Sequence, residues 1–182
     1  MAQPSTVRRF EIELADSDRG VYETLDLRVA QHPSETDRYL VARVIARCLE
    51  HAEGLVFTKG LAADDEPALW QRDLTDRLLA WIEVGSPSTD RLHRASKLGA
   101  RLVVYAYQRP TELAKQIVEA KVHRRQELEL RALDAAFLDR VSVTLDRNNR
   151  WELSVAGGTL YLTIGGKLHE STCERLAIPE PA

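Results

Sequence analysis

The chain has only two cysteines, Cys48 and Cys173, and neither sits in a CxxC or Cys/His ligand spacing. That sets aside a structural zinc site and a disulfide framework. None of its five histidines falls at HxH or HExxH spacing, so neither a histidine-rich metal centre nor a Ser-His-Asp triad can be built from the sequence. A Gly-rich phosphate loop and a dinucleotide fingerprint are missing too, and no small-molecule cofactor is indicated. No apolar run approaches the roughly 18 residues of a membrane span, and the opening MAQPSTVRR has no apolar signal core. The expectation is a cytoplasmic protein with no membrane partner. A large excess of charge is lacking as well: 28 acidic against 25 basic side chains leave −3. The overall field therefore gives no help to phosphate binding, and any nucleic-acid surface has to be a local basic patch.

What is present is an ordinary globular composition, 44% apolar and 29% charged over 182 residues, without repeats, low-complexity stretches or an obvious linker. It predicts a single domain over residues 1–182, with the oligomeric state left open. VRRFEIELADSDRGVYETLDLRVAQ alternates apolar and polar residues on both sides of Asp16-Ser17-Asp18-Arg19-Gly20, the pattern of a β-hairpin. Ser34 is placed to cap a helix over 34–52, with Glu35 in its first turn and Leu40, Val41, Val44, Ile45 and Cys48 at helical spacing. Strands are predicted near 55–60, 68–73 and 78–84, the last two joined by a Leu74-Thr75 turn. A helix capped by Ser88 runs to 98, and a strand follows over 101–107. A helix from Pro110, the strand LELRAL, a short helix carrying Phe137, Leu138, Val141 and Leu145, and a hairpin around Gly157-Gly158 complete the chain. The fold class is α/β, a mixed β-sheet flanked by helices with β-hairpins at both ends.

Acidic residues collect at one place. A two-residue turn at Leu74-Thr75 sets a register in which paired positions sum to 149, bringing Glu66 opposite Glu83, with Asp64 and Asp65 alongside. Carboxylates this close repel unless a cation or proton lies between them. A hard divalent ion such as Mg²⁺ answers that need, and could activate water against a phosphodiester. Solvated loop surface is the plainer explanation, just as Glu35 can serve simply as a helix-dipole partner worth about 0.3–1 kcal/mol. Trp70 and Trp81 read as core or rim packing. Arg91, Arg94 and Lys97 follow at steps of three on one helix, a row suited to phosphate oxygens or to balancing the acids. A second basic run, Lys115, Lys121, His123, Arg124 and Arg125, is interleaved with Glu119 and Glu127 and suggests no function.

The blocks LADSDRGVYETLDLRVAQHPSET, FTKGLAADDEPALWQRD and WIEVGSP, with LHRASK and VVYAY downstream, resemble the YaeQ family of small bacterial proteins. The resemblance runs from about Phe10 to Tyr107 and continues more weakly into the C-terminal hairpin. It implies a core of the PD-(D/E)XK restriction-endonuclease type, in which a helix, a three-stranded meander, a second helix and a further strand follow in order. It also implies that Glu35 matches the helix acid and Glu83 the acid of the third motif, as ligands for Mg²⁺. Two positions depart from that pattern. Ala68 stands where an aspartate is expected, so Asp65 or Glu66 would have to substitute. Gly85 stands where a catalytic lysine is expected, so Lys97 or Lys59 would have to supply it. The expected functions are thus a metal-dependent nuclease with an altered site, a non-catalytic nucleic-acid or transcription-associated binding protein on the same scaffold, or a protein-interaction domain with no nucleic-acid role.

Overall fold

A hairpin of two eleven-residue strands, β1 (Thr6–Asp16) and β2 (Val21–Gln31), opens the fold and brackets the expected turn. The structure, a computed structural model, describes residues 5–59, 63 and 65–179. Beyond the hairpin come α1 (Asp37–Leu49), β3 (Leu55–Phe57), β4 (Leu69–Arg72), β5 (Leu78–Val84), α2 (Thr89–Ser96), β6 (Arg101–Ala106) and α3 (Pro110–Glu119). β7 (Glu129–Leu133), α4 (Ala135–Ser142), β8 (Asn148–Ala156), β9 (Thr159–Ile164) and β10 (Lys167–Leu176) follow. The order expected for the middle of the chain, helix, three-strand meander, helix and strand, is present as α1, β3–β4–β5, α2 and β6.

The strands form one ten-stranded sheet in the order β2-β1-β8-β9-β10-β7-β6-β5-β4-β3, nearly closed into a barrel. This corrects the expectation of a simple sheet with helices on its faces. Parallel ladders join β1 to β8, β5 to β6 and β6 to β7. The first of these makes the two terminal hairpins neighbours in the sheet. β10 was not anticipated, because KLHESTCERL has too few apolar residues to stand out. Its signal was the Gly165-Gly166 pair, which turns β9 into β10 as Gly157-Gly158 turns β8 into β9.

Sheet curvature leaves two cores. The larger holds Phe10, Ile12, Leu69, Ile82, Trp151 and Leu162 around α1, and the smaller holds Trp81, Leu92, Val104 and Ile117 beneath α2 and α3. Every residue of α1 from Leu40 to Cys48 is buried, including Arg43 and Arg47, so the helix has no solvent face over those residues. Its start also differs from expectation. Ser34 pairs with His32 Nδ1 at 2.6 Å, while Thr36 is the N-cap and accepts from the Tyr39 amide at 3.2 Å. Glu35 therefore precedes the helix, and Asp37 takes the first-turn position beside the positive dipole end.

Between α1 and β3 the chain passes Gly54 at φ +77°, where an added methyl would land on the carbonyl oxygen of Arg72. That carbonyl belongs to β4, and the Arg72 amide bonds back to Gly54 O at 3.1 Å. Gly54→Ala is expected to lower the unfolding free energy by about 2 kcal/mol, through the left-handed backbone and the displaced strand. Urea denaturation measures it, and an unchanged midpoint would show that β3 and β4 shift at no cost.

Candidate functional site

The β4–β5 connection sets the geometry of the site. Asp73 Oδ1 accepts from the amides of Thr75 at 2.8 Å and Arg77 at 3.0 Å, and Asp73 N bonds to Arg77 O. The turn is therefore wider than the two-residue Leu74-Thr75 turn expected from sequence, and a bulge between Gln71 and Arg72 adjusts the ladder. Leu69 pairs with Ile82 and Gln71 with Ala80, a sum of 151 rather than 149. The ladder ends at the Leu69–Ile82 pair, Ala68 N bonds to Ile82 O at 3.1 Å, and Glu66 is not brought opposite Glu83. Glu66 instead accepts from the Lys59 amide at 3.0 Å, and Asp65 is exposed. Asp64 lies outside the described residues.

Alternation along β5 sends Ile82 and Val84 into the larger core and Trp81 and Glu83 to the side of α2. There Glu83 Oε1 accepts from Trp81 Nε1 at 2.7 Å and from Arg91 Nε at 2.7 Å. Ser88 caps α2 through the Arg91 amide at 3.3 Å, which fixes Arg91 on the first turn facing Glu83. The same guanidinium donates to the carbonyl of Glu66. Burial raises the Glu83 carboxyl above its ordinary range, with Arg91 and the Trp81 hydrogen bond working against that rise. Arg91 is thus turned inward to an acid, the second of the two roles the sequence offered the row Arg91, Arg94 and Lys97, while Arg94 and Lys97 stay exposed.

Glu35 has a different partner. Both of its carboxylate oxygens accept from Arg43 Nη1 at 3.0 Å, with both side chains essentially free of solvent. Arg43 also donates to Thr58 O at 3.2 Å, and its guanidinium lies 5.3 Å from the Phe57 ring centroid. Sequence reasoning missed Arg43. Its one signal was an arginine within the mainly apolar run Leu40–Cys48, and because Glu35 lies before the helix no helical spacing links the two. Between the two acids stands Tyr39, whose hydroxyl is pushed up to about 12 by burial, with the Glu35 and Glu83 carboxylates adding to the rise and Arg43 opposing it.

A cleft of about 280 Å³ opens here, lined by Tyr39, Ala68, Glu83, Gly85, Arg91 and Tyr107. Among the described residues neither expected lysine is hydrogen-bonded or ion-paired to Glu83. Lys97 is the exposed C-cap of α2, six residues past Arg91 and so about 9 Å further along the helix axis. Lys59 is exposed two residues past β3, its amide bonded to Glu66. Gly85 sits at φ +91°, its amide bonded to Tyr105 O at 2.9 Å. A lysine at that position would carry backbone strain. Among the described residues no three carboxylate, histidine or cysteine side chains converge as metal ligands. The donor set does not suit Mg²⁺ as it stands: Glu35 and Glu83 are already matched by guanidinium groups, Glu66 accepts from the Lys59 amide, and Asp65 is exposed.

The two basic runs meet at the other end of α2. The His123 amide donates to His93 Nδ1 at 3.2 Å, and the two imidazole rings pack edge to face with centroids 6.4 Å apart. This contact sets exposed Arg94 and Lys97 beside the loop that carries Lys121 and Arg125, while Arg124 pairs with Glu127. None of the helices is long and apolar enough to cross a membrane among the described residues.

Comparison with known proteins agrees with this architecture. The YaeQ protein of Escherichia coli K12 is 31% identical over 164 residues, covering 90% of this chain and 91% of its own, and that of Salmonella typhi is 30% identical over the same length. The crystal structure of YaeQ from Pseudomonas syringae superposes with a TM-score of 0.89 at 34% identity, covering 97% of this chain and 98% of that one. YaeQ from Xanthomonas axonopodis pv. citri gives a TM-score of 0.87 at 32% identity, covering 96% and 99%. The YaeQ family model matches residues 1–173, and the chain belongs to the YaeQ family.

Proposed function

We propose that the protein binds nucleic acid without cutting it, on a scaffold related to PD-(D/E)XK nucleases. The observation that carries this reading is the pairing of the two acids matched to the nuclease motifs with internal arginines, Glu83 with Arg91 at 2.7 Å and Glu35 with Arg43 at 3.0 Å. A metal ion would have to displace a guanidinium that already neutralises and hydrogen-bonds each carboxylate. The strand order, with Ala68 and Gly85 at the altered motif positions, is what a nuclease-like core emptied of its metal site would present. The binding capacity is then assigned to the exposed basic end of α2, where Arg94 and Lys97 stand beside Lys121 and Arg125.

Fluorescence anisotropy with short single- and double-stranded DNA and RNA across a salt series tests the reading. Binding should weaken as salt rises, because phosphate contacts release counterions. Arg94→Glu combined with Lys97→Glu should weaken it about tenfold or more at low salt, with each reversed charge removing a contact and adding repulsion. Absence of binding at low salt would overturn the proposal. So would Mg²⁺- or Mn²⁺-dependent cleavage that Glu83→Ala abolishes, which would instead support a metal-dependent phosphodiesterase using Glu35, Glu83 and Asp65 or Glu66.

A further inference from the structure

Strand β2 ends the sheet, and its outer edge carries no main-chain hydrogen bond to any other segment among the described residues. Proteins usually guard such an edge with a short strand, proline, lysine or a bulge. β2 has none of these four, and the charged side chains that can also guard an edge are here of both signs, Glu23, Asp26 and Arg28: the strand is eleven residues long, VYETLDLRVAQ, and its ladder with β1 is unbroken from Val21 to Gln31. Leu25 and Val29 point into the core, and the alternate residues Tyr22, Thr24, Asp26, Arg28 and Ala30 are exposed on the other face.

We propose that this edge pairs with the same edge of a second copy of the chain, antiparallel about a two-fold axis through Leu27. A two-fold perpendicular to the sheet keeps inward residues opposite inward ones, so paired positions must sum to an even number. Centring on Asp26 sets Asp26 against Asp26, and centring on Arg28 sets Arg28 against Arg28, both repulsive. Centring on Leu27 sets Asp26 of each copy opposite Arg28 of the other, Leu25 opposite Val29, and Thr24 opposite Ala30. Residues 23–31 all find partners, and two unlike charge pairs flank the axis. Both Asp26 oxygens accept from Arg9 of the same copy, at 2.9 and 2.8 Å, on this exposed face, and each oxygen keeps a second lone pair for the facing arginine. The dimer would join two ten-stranded sheets through their β2 edges.

Sedimentation equilibrium over a concentration series reads the outcome. The parent chain, 20.5 kDa as a monomer, is expected to approach twice that mass. Arg28→Asp opposes aspartate to Asp26 twice, and Asp26→Arg opposes arginine to Arg28 twice. Each variant alone should have its dimerisation weakened roughly tenfold or more. Mixed in equal amounts, the two variants should recover the dimer, because every facing pair is again of unlike charge. Circular dichroism of each variant checks that it has folded, and recovery in the mixture reads the register whatever the stability of either alone. A parent chain that stays monomeric at all concentrations would overturn the proposal. So would single variants that dimerise as the parent does, or a mixture that stays monomeric.

Discussion

Arg43→Ala is expected to lower the unfolding free energy by about 3–5 kcal/mol, enough to leave a domain of ordinary stability largely unfolded near physiological temperature. The arginine is 1% exposed and its partner Glu35 fully buried. Removing the guanidinium leaves a carboxylate in the interior with one remaining donor, the His32 amide at 3.3 Å. The same change removes the hydrogen bond that Arg43 donates to Thr58 O and the cation above Phe57. Removing both charges should cost less. Glu35→Leu with Arg43→Met replaces the pair by apolar groups of similar volume, and such replacements are often neutral. A double-mutant cycle in urea therefore separates the pair from its surroundings. The cycle also bears on function. If Glu35 served a bound metal, Mg²⁺ would stabilise the parent by about 2.7 kcal/mol at 100 times its dissociation constant. A guanidinium that already occupies that role predicts no such gain. A parent-like stability for Arg43→Ala would show that water reaches Glu35 and that the pair is not sealed.

The limits of the sequence reading follow from what local pattern can register. Strand β5 was placed at its observed residues and α2 at its Ser88 cap because apolar periodicity and capping chemistry are local signals. Arg43 and Arg47 were invisible as buried charges. Periodicity assumes that a helical arginine faces water, and nothing local announces that Glu35, outside the helix, folds back to meet one of them. The register of β4 with β5 failed for a similarly specific reason, since the Asp73 carboxylate organises a wider turn than residue spacing suggests. At the site the acids were recognisable as residue types, but their pairing was not. Glu83 and Arg91 are eight residues apart across a strand and a helix, and no spacing rule reports that contact. The union of the two basic runs rests on His93 and His123, thirty residues apart, and only the packing of α2 against the loop after α3 brings them together.

Arg101→Leu is expected to cost about 3 kcal/mol at neutral pH and to change how the protein responds to acid. Its guanidinium ties β6 to β7 and to the end of α1: it donates to Glu129 at 2.6 Å and to Glu50, the α1 C-cap, at 2.5 Å, while Tyr105 donates its hydroxyl to Glu50 at 2.6 Å. Hydrogen bonds from Arg101, aided by its charge and by Arg131, outweigh burial and pull the Glu129 carboxyl down to about 2. A carboxylate whose folded pKa is depressed contributes stability that is complete above its unfolded value, near 4.5, and that disappears as pH falls toward the folded value. Because the arginine is 40% exposed, solvent screening reduces the contribution of Glu129 to about 2 kcal/mol. The rest of the loss at neutral pH comes from Glu50, nearly buried and left with Tyr105. The parent should therefore lose stability between about pH 4.5 and 2, and the variant, which starts lower, should show a shallower decline. Urea titrations at neutral pH and near pH 3 should find the gap between the two proteins shrinking by about half. A gap that stays constant across that range would mean that Arg101 acts through packing of its alkyl chain and not through the charge of Glu129.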